Sequence, residues 1–301
     1  MPVLMPCEPG TPRRIDPAWG RERAALLGAG QGVLLLDHDR LERGDVEAAL
    51  ERSDLPASGG LAYRGWMVRP ENYAALHRAL AGRGLRLLTS PEQYRRCHHL
   101  PGTLDALRRW SARTAVVPAA ELDRLPEALA AFGDAALVIK DYAKSQAGLW
   151  DEACFVPRAS DIPRAMRVVT RFLELQGDGL EGGIILREFV PLVRDGRGRA
   201  VEWRCFVVGG TPLPPFRRDV GPGGVADAPG EALLRDAAAR VECPFWTMDW
   251  AVREEGGHLL LEAGDGGVSG IPEHVEPAPI LRALGRLLSG AGPVPPSPQP
   301  P

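Results

Sequence analysis

Two lysines stand out among the basic residues of this 301-residue chain. Of its 36 lysine and arginine residues only Lys140 and Lys144 are lysines, and they lie four positions apart in ALVIKDYAKSQAG. A lysine ammonium is a compact, rotatable point charge, which suits phosphate oxygens better than a rigid guanidinium fork does. The pattern therefore indicates a phosphate-binding pair. The alternative is that drift towards GC-rich codons removed most lysines and left these two by chance on an exposed loop.

Two acidic residues occupy matching positions in neighbouring strands of FWTMDWAVREEGGHLLLEAGDGG. A hairpin centred between Glu255 and Gly256 places Asp249 opposite Glu262. Carboxylates roughly 5 Å apart repel unless a cation or a proton lies between them, and magnesium accepts one or two carboxylates together with substrate phosphates. The spacing therefore predicts a magnesium pair. A one-residue slip, which would turn the acids to opposite faces, and a partly protonated pair are the alternatives.

Two further charged pairs lie in or beside apolar strands. In AVEWRCFVV, Glu202 and Arg204 share one face, where they could bind a ribose and a phosphate. An ion pair on a solvated face is the commoner explanation of such a spacing. Arg187 and Glu188 directly follow the apolar run of GIIL, a position that usually marks only the exit of a strand to water.

Strand and helix signals alternate along the chain and predict several lobes. Strands are predicted at 32–37, 61–65, 85–90, 114–117, 136–140, 153–157, 183–190, 200–210, 245–254 and 258–264, and helices at 41–50, 70–81, 104–110, 120–132, 161–176, 230–240 and 278–288. The first three strands, separated by helices, favour a small parallel sheet. The proline-rich start to about residue 20 is predicted to be a flexible leader. The low-complexity tail at 291–301 is predicted to be disordered.

Composition excludes several classes of protein. A net charge of -3 and a pI near 6.1 give no electrostatic footprint for nucleic acid or an anionic membrane. No run of 18 apolar residues is present and MPVLMPCEPGTPRR lacks the apolar core of a signal peptide, so a cytoplasmic protein is expected. The five cysteines are scattered and form no CxxC pair, which argues against a disulfide framework or a zinc knuckle.

The order of these segments resembles the ATP-grasp superfamily. The segments GLAYRGWMVRPENYAALHRALAGRG, SPEQYRRCHHLPG, VIKDYAKSQAGLWDEACFVP, GIILREFVPL, VEWRCFVVGG and LLLEAGDGGVSGIP look like its divergent clade around the eukaryotic cell-division-cycle protein that helps assemble a translation initiation factor, in particular the bacterial and phage members. The resemblance covers roughly residues 30–290. It implies an α+β fold in which a small α/β lobe at 21–110 precedes two α+β subdomains, 111–190 and 191–290, with ATP between them.

The resemblance also implies roles for individual residues. Lys140 matches the strand lysine on the nucleotide phosphates, with Lys144 in the adjoining loop as a second contact. Glu188, Phe189 and Val190 match the hinge whose backbone pairs with adenine, Glu202 matches a ribose ligand and Arg204 a triphosphate ligand. Asp249 and Glu262 match the magnesium ligands. The usual third ligand, an asparagine two residues beyond the glutamate, is Gly264 here, so Asp265 is the candidate to replace it.

The N-terminal part of the resemblance supplies candidates for the second substrate. Arg64 in YRGW, with His98 and His99 in CHHLP, could bind its carboxylate or phosphate. Adjacent histidines point in different directions on most backbones, and Cys97, His98 and His99 lack the spacing of a zinc site. A structural or substrate-binding role is therefore expected for these residues rather than metal binding.

These residues and the resemblance predict an ATP-dependent carboxylate-amine ligase. A carboxylate would attack the γ-phosphorus of ATP, and an amine would displace phosphate from the acylphosphate; either substrate could be a small molecule, a peptide or a protein. Lys140 and Arg204 would act with magnesium by positioning and neutralising charge. A non-catalytic ATP-binding assembly factor for a protein partner and a kinase acting on a protein hydroxyl are the alternatives.

Overall fold

The computed structural model describes residues 1–143, 145–219 and 227–290. Lys144 and the tail predicted to be disordered at 291–301 lie outside the described residues. None of the helices in the described ranges is long and apolar enough to cross a membrane. The α+β fold predicted from the sequence is confirmed, and its strands form three sheets.

A mostly parallel five-stranded sheet forms the first lobe. Its strands are β1 (Val3–Glu8), β2 (Thr11–Ile15), β3 (Val33–Leu36), β4 (Gly59–Tyr63) and β5 (Leu85–Leu87). Strand β1 pairs in parallel with β3 and β4, and β4 pairs in parallel with β5, whereas β2 folds back antiparallel on β1. The predicted parallel sheet is therefore confirmed, with one antiparallel strand added to it.

Six α-helices lie between and after these strands in the chain. They are α1 (Gly20–Gly28), α2 (His38–Glu42), α3 (Val46–Leu50), α4 (Pro70–Ala81), α5 (Pro91–His98) and α6 (Pro101–Leu107). The single helix predicted over 41–50 is wrong, because Gly44 at φ +82° separates α2 from α3. Helix α5 begins with a capping box in which Ser90 and Gln93 exchange side-chain to backbone bonds, so its start is fixed locally.

The flexible leader predicted for residues 1–20 is wrong. Val3, Leu4 and Met5 are completely buried, because β1 pairs with β2, β3 and β4. The proline-rich composition of this segment concealed the apolar run VLMPC, which is long enough for a buried strand. Pro6 has no amide proton to donate to the sheet, and its carbonyl oxygen accepts a bond from the Asp16 amide.

An antiparallel sheet with the order β6-β9-β7-β8 forms the second lobe. Its strands are β6 (Thr114–Pro118), β7 (Leu137–Lys140), β8 (Phe155–Val156) and β9 (Gly183–Glu188), and its α-helices are α7 (Leu125–Ala130) and α8 (Ile162–Gln176). The strand predicted at 153–157 is shorter, because Trp150–Cys154 forms a π-helical turn. The helix predicted at 120–132 is divided, with a 3-10 segment over Ala119–Arg124 before α7.

A second antiparallel sheet forms the third lobe. Its strands are β10 (Glu202–Val208), β11 (Thr211–Pro212), β12 (Phe216–Arg217), β13 (Phe245–Val252) and β14 (His258–Asp265), and its helices are α9 (Glu231–Ala238) and α10 (Ala278–Leu288). The closing helix predicted at 278–288 is confirmed. Strand β10 lies between β13 on one side and the short strands β11 and β12 on the other.

The first and third lobes share a hydrophobic core, and the second lobe has its own. Val3, Met5 and Leu26 of the first lobe pack in one cluster with Phe206 and Leu284 of the third. The cluster inside the second lobe draws its residues from the range 115–186 alone. The buried residues of a further cluster lie in the range 4–94, within the first lobe. Within the described part of the chain, the cluster of the second lobe includes no buried residue of the other two lobes, and the second lobe contacts the third through polar groups such as Lys140 and Arg187.

The burial of strand β1 makes a prediction for the first segment of the chain. Leu4→Ala should lower the free energy of unfolding by about 2–5 kcal/mol, because it removes a fully buried side chain. Arg13→Ala, on the exposed strand β2, should change it by less than about 0.5 kcal/mol. Urea unfolding followed by circular dichroism measures both. Two equally mild variants would instead fit a flexible leader.

Candidate functional site

A cavity of about 780 Å³ lies between the sheets of the second and third lobes. Its charged lining consists of the basic residues Lys140, Arg187, Arg194, Arg199 and Arg218 and the acidic residues Glu188, Glu202, Asp219 and Glu262. Five positive charges face four negative ones, so the lining is nearly neutral. A nucleoside triphosphate, with about four negative charges, would need a further cation here, which is the role that magnesium plays in phosphoryl transfer.

The predicted pairing of Asp249 with Glu262 across β13 and β14 is confirmed, although the hairpin differs from the predicted one. Near the turn, Val252 pairs with His258 and Trp250 pairs with Leu260. These pairs centre the hairpin on Glu255, half a residue earlier than the predicted centre between Glu255 and Gly256. A β-bulge between Asp249 and Trp250 then shifts the register by one residue. The bulge returns both carboxylates to the same face.

Each of the opposed carboxylates is paired with basic side chains. Arg204 binds Asp249 with both prongs of its guanidinium, Nε to Oδ1 at 2.8 Å and Nη2 to Oδ2 at 2.7 Å, and Arg218 Nη1 lies 3.1 Å from Oδ2. Lys140 Nζ donates to Glu262 Oε2 at 3.2 Å. Three basic side chains of the protein itself therefore supply the positive charge that opposed carboxylates require. The hairpin spacing alone gave no indication of these side chains.

The two carboxylates differ in their access to the cavity. Asp249 is almost fully buried behind Arg204, whereas the Glu262 side chain is 45% exposed and lines the cavity. Burial raises the pKa of Glu262, but the charges of Lys140, Arg218 and Arg204 together lower it below its usual value. In the described part of the chain, Glu262 Oε1 accepts no hydrogen bond. This oxygen and the remaining lone pair of Asp249 Oδ1 are hard donors that fit magnesium.

Lys140, which is predicted to bind nucleotide phosphates, lines the cavity. It ends strand β7, its side chain is largely buried, and it reaches across the cavity to the third lobe. Its contact with Glu262 is one of two polar links that we describe here between the second and third lobes, within the ranges 1–143, 145–219 and 227–290. In the other, Arg187 Nη1 of strand β9 donates to the carbonyl oxygen of Leu261, the extra residue of the bulge.

Arg204 does not line the cavity, contrary to its predicted place on the triphosphate. Besides both oxygens of Asp249, it donates from Nη1 to the Gly270 carbonyl at 3.0 Å. Its guanidinium is therefore committed to holding Asp249. Among the arginines that line the cavity, Arg218 is the one that contacts Asp249, and it also binds Glu202 Oε2 at 2.7 Å with a side chain that is 40% exposed. No spacing in the sequence pointed to Arg218, because it follows the two-residue strand β12.

Glu202 lines the cavity as predicted for a ribose ligand. It lies at the start of β10, directly across from Arg218. Burial raises the pKa of Glu202 above its usual value, even though the Arg218 guanidinium acts in the opposite direction.

Glu188, Phe189 and Val190 form one wall of the cavity, as the hinge prediction requires. The Glu188 and Phe189 amides donate to the carbonyl groups of Arg113 and Ala136, both at 2.8 Å. Val190 makes no such donation within the described ranges, so its amide is available to an adenine edge. Phe189 also packs at 5.2 Å against Phe155, which stacks on Trp150, and this gives the wall an aromatic surface.

Arg187 was interpreted as a strand-exit residue, but it is a cavity residue. Its side chain is enclosed between β9 and β14, and this burial lowers its pKa to about 10. A guanidinium that is desolvated but still charged attracts an anionic or π-electron ligand strongly.

The prediction that Asp265 replaces the third metal ligand is wrong. Successive side chains in a strand alternate between faces, so Asp265 lies on the face opposite to Glu262. It is 2% exposed, and its Oδ1 accepts the Gly267 amide at 2.7 Å. Burial raises its pKa to about 7. On the Glu262 face, a Cβ at Gly264 would come within 2.9 Å of the Thr247 hydroxyl, so hydroxyl groups occupy the space of the usual asparagine.

The prediction that Arg64 binds the second substrate is also wrong. Arg64 is completely buried and binds both oxygens of Glu22, at 2.6 and 2.8 Å. Its Nη1 donates to the carbonyl groups of Gly266 and Ser269. It therefore fastens the first lobe to the segment after β14. The short strand that precedes it gave no sign of this burial.

His98 and His99 lie away from the 780 Å³ cavity, at the junction of the first and second lobes. Both imidazoles contact Glu181 Oε2 through Nε2, each at 3.1 Å. The expectation that adjacent histidines diverge is wrong here. Glu181 was not a candidate, because it is 82 residues from His99 in sequence.

Comparisons with known proteins agree with this architecture. An ATP-grasp domain family, family 3 of the R-two-K clade, matches residues 131–284, just over half of the chain. A D-cycloserine synthetase, DcsG, is 17% identical and superposes with a TM-score of 0.62 over 95% of this chain and 100% of its own. A RimK domain ATP-grasp protein from Sphaerobacter thermophilus is 13% identical, with a TM-score of 0.60 over 96% and 100%.

A third structure of similar fold was determined with a peptide. The macrocyclase MdnC from Microcystis aeruginosa, bound to the precursor peptide MdnA, is 14% identical and has a TM-score of 0.58, over 96% of this chain and 100% of its own. At these identities the likeness concerns the fold. No curated protein matches the chain in sequence.

The unequal burial of the two carboxylates predicts unequal effects of neutralising them. Asp249→Asn should lower the free energy of unfolding by about 3 kcal/mol, because it leaves the buried Arg204 guanidinium without its anion. Glu262→Gln should change it by less than about 1 kcal/mol, because both partners reach the cavity. Asp236→Asn, at an exposed ion pair, is the control. Urea unfolding without nucleotide measures all three, and equal losses at positions 249 and 262 would contradict the account.

The burial of Asp265 predicts a pH dependence of stability. Its carboxyl titrates near 3.8 in the unfolded chain and near 7 in the fold, so between these values the folded state holds a proton that the unfolded state has lost. The contribution of Asp265 to stability should therefore fall as the pH rises from about 4 to 7, so the stability of wild type relative to Asp265→Asn should decline over this range. Urea unfolding of both proteins across this range gives the difference, and parallel pH profiles would refute the assignment.

Proposed function

Because this chain belongs to the third family of that ATP-grasp clade, we propose that it is an ATP-dependent carboxylate-amine ligase. The observation that carries the proposal is that Lys140, Arg218 and Glu262 line one cavity, with Asp249 buried behind them as the direct partner of Glu262. Structural neighbours named as a synthetase and a macrocyclase agree with a bond-forming reaction.

The reaction proceeds in two steps. A carboxylate oxygen of the first substrate attacks the γ-phosphorus of ATP, the bond between that phosphorus and the β,γ-bridging oxygen breaks, and ADP leaves. The nitrogen of an amine then attacks the carbonyl carbon of the acylphosphate. The carbon-oxygen bond to phosphate breaks, the nitrogen loses a proton, and an amide and inorganic phosphate are released. The side chains need only position these groups and neutralise charge.

The nucleotide would lie along the cavity from the aromatic wall to the acid pair. Adenine would pack against Phe189 and Trp150 and accept a bond from the Val190 amide, and Glu202 would bind the ribose. Lys140 and Arg218 would exchange their carboxylate partners for phosphate oxygens. Such charge-assisted bonds are each worth roughly 1.5–3 kcal/mol.

Asp249 and Glu262 would hold magnesium, with Arg204 as a positioning residue. Arg204 fixes the Asp249 carboxylate through two parallel bonds, which leaves one lone pair of Oδ1 free to act as a ligand. Glu262, once released by Lys140, offers both oxygens. The bound metal would supply positive charge that offsets the negative charge developing on the transferred group.

The ligase proposal predicts ADP release that depends on acceptors. Purified protein with magnesium and ATP should release ADP and phosphate well above the background rate only when carboxylates and amines are supplied together. Hydroxylamine in place of the amine should trap the acylphosphate as a hydroxamate. A coupled ADP assay and mass spectrometry measure both. ATP binding without acceptor-dependent turnover over a broad panel of acids and amines would instead favour an assembly factor, and phosphate on a protein hydroxyl would favour a kinase.

A further inference from the structure

Three potential metal ligands from two lobes meet at the junction of the first and second lobes. His98 Nε2 and His99 Nε2 each lie 3.1 Å from Glu181 Oε2, and all three ligand atoms fall within 4.8 Å of one another. His98 is buried, and His99 and Glu181 are mostly buried. This cluster is separate from the acids of the nucleotide cavity and takes no part in the proposed ligase reaction.

The backbone explains how two adjacent histidines can face one point. His98 is the last residue of helix α5, and His99 leaves the helix with extended dihedral angles, φ -98° and ψ 123°. The change of backbone direction turns both rings to one side, with their centroids 5.3 Å apart. Tyr94 stacks on His98 and the Tyr142 ring packs edge-on to His99, so both rings are held in place.

Glu181 is fixed by the second lobe. It lies in the connection between α8 and β9, where its carbonyl oxygen accepts the amides of Tyr142 and Gly183. Gly182 adopts φ +72°, and a Cβ there would come within 2.0 Å of the Tyr142 ring, so only glycine allows this close approach. The carboxylate is thus presented by a constrained turn rather than by a free loop.

The distances suit a small tetrahedral metal ion. Metal-ligand bonds of about 2.0–2.1 Å give tetrahedral ligand-ligand edges of roughly 3.3–3.4 Å, and two of the three edges measure 3.1 Å. Imidazole nitrogens favour zinc and related transition metals over magnesium or calcium, which prefer oxygen ligands. Three protein ligands leave a fourth position for water. The adjoining cleft of about 150 Å³, lined by His99, Glu181, Arg69 and Asp178, has room for it.

We propose that His98, His99 and Glu181 bind one zinc-class divalent ion, which joins the first lobe to the second. Each histidine would coordinate through Nε2 with its proton on Nδ1. The ion would take the place of the hydrogen bonds that now converge on Glu181 Oε2. The ligands lie beside Tyr142, two residues beyond Lys140, so the ion would anchor the end of the strand that carries the phosphate-binding lysine.

Zinc titration of the metal-free protein tests the site. After treatment with a chelator, the protein is titrated with zinc against a chromophoric competitor, without nucleotide or magnesium, so that the outcome is independent of the ligase proposal. Wild type should bind one zinc ion per chain. His99→Gln should weaken binding by about 100-fold or more and Glu181→Gln by at least about tenfold, since loss even of outer-shell partners costs 10- to 100-fold.

Matched variants show whether any loss is specific. His77→Gln on α4 and Glu174→Gln on α8 should bind zinc like wild type. Glu181→Gln retains a carbonyl oxygen that accepts from both histidines, and its metal-free thermal melt shows whether the fold is kept. Cobalt substitution should give tetrahedral ligand-field bands without thiolate charge transfer, which separates this site from Cys97. Failure of wild type to bind stoichiometrically, or equal affinity in His99→Gln, would overturn the proposal.

Discussion

The opposition of two carboxylates on one face of a β-hairpin is the constraint on which the rest of the site depends. Asp249 and Glu262 face each other across β13 and β14, and neither could stay ionised there without a cation. The structure meets this need with basic side chains from three places: Arg204 on β10, Arg218 after β12 and Lys140 on β7. Lys140 comes from the lobe with its own core, so the same charges that stabilise the hairpin also draw the second lobe onto the third. A ligand that supplies phosphates and a metal can exchange with these pairs without leaving any charge unpartnered.

Much of this arrangement could be predicted from the sequence, because it rests on local patterns. The apolar strand that ends in Lys140, the alternation in EWRCFVV and the long helix over Ile162–Gln176 all have strong periodic signals. The pairing of Asp249 with Glu262 was predicted for a reason that proved incomplete. The turn is centred on Glu255, and without the bulge before Trp250 the acids would not be direct partners. Leu261 is the extra residue of the bulge, and its carbonyl oxygen accepts a bond from Arg187 of the second lobe. The spacing of residues in the sequence does not reveal such a tertiary contact.

What could not be predicted depends on contacts between residues distant in sequence. In the sequence, Arg64 looks like an unpaired basic residue after a short strand. In the structure it donates hydrogen bonds to Glu22 and to the carbonyl groups of Gly266 and Ser269. Asp265 is the exception, because its error was local: the predicted strand ended at residue 264, whereas β14 continues through Asp265 and alternation turns that side chain into the protein interior. The convergence of His98 and His99 becomes visible only with Glu181, which the fold brings from another lobe. For Arg64, His98 and His99, the sequence marked the residue as a candidate, whereas the groups that contact its side chain depend on how the chain packs.

The central claim is that Lys140 and the acid pair give up their contacts with each other when phosphate and magnesium bind in the cavity. Lys140 then contacts phosphate, and the acids contact the metal. The most direct measurement is calorimetric titration of ATP, with and without magnesium, into wild type and Lys140→Ala, with Arg43→Ala on the exposed surface of the first lobe as the control. The account predicts that Lys140→Ala weakens the affinity for magnesium-ATP by at least about tenfold, since one charge-assisted bond is lost. It also predicts that omission of magnesium weakens binding to wild type, while Arg43→Ala binds normally. Equal affinity for magnesium-ATP in wild type and Lys140→Ala would contradict it.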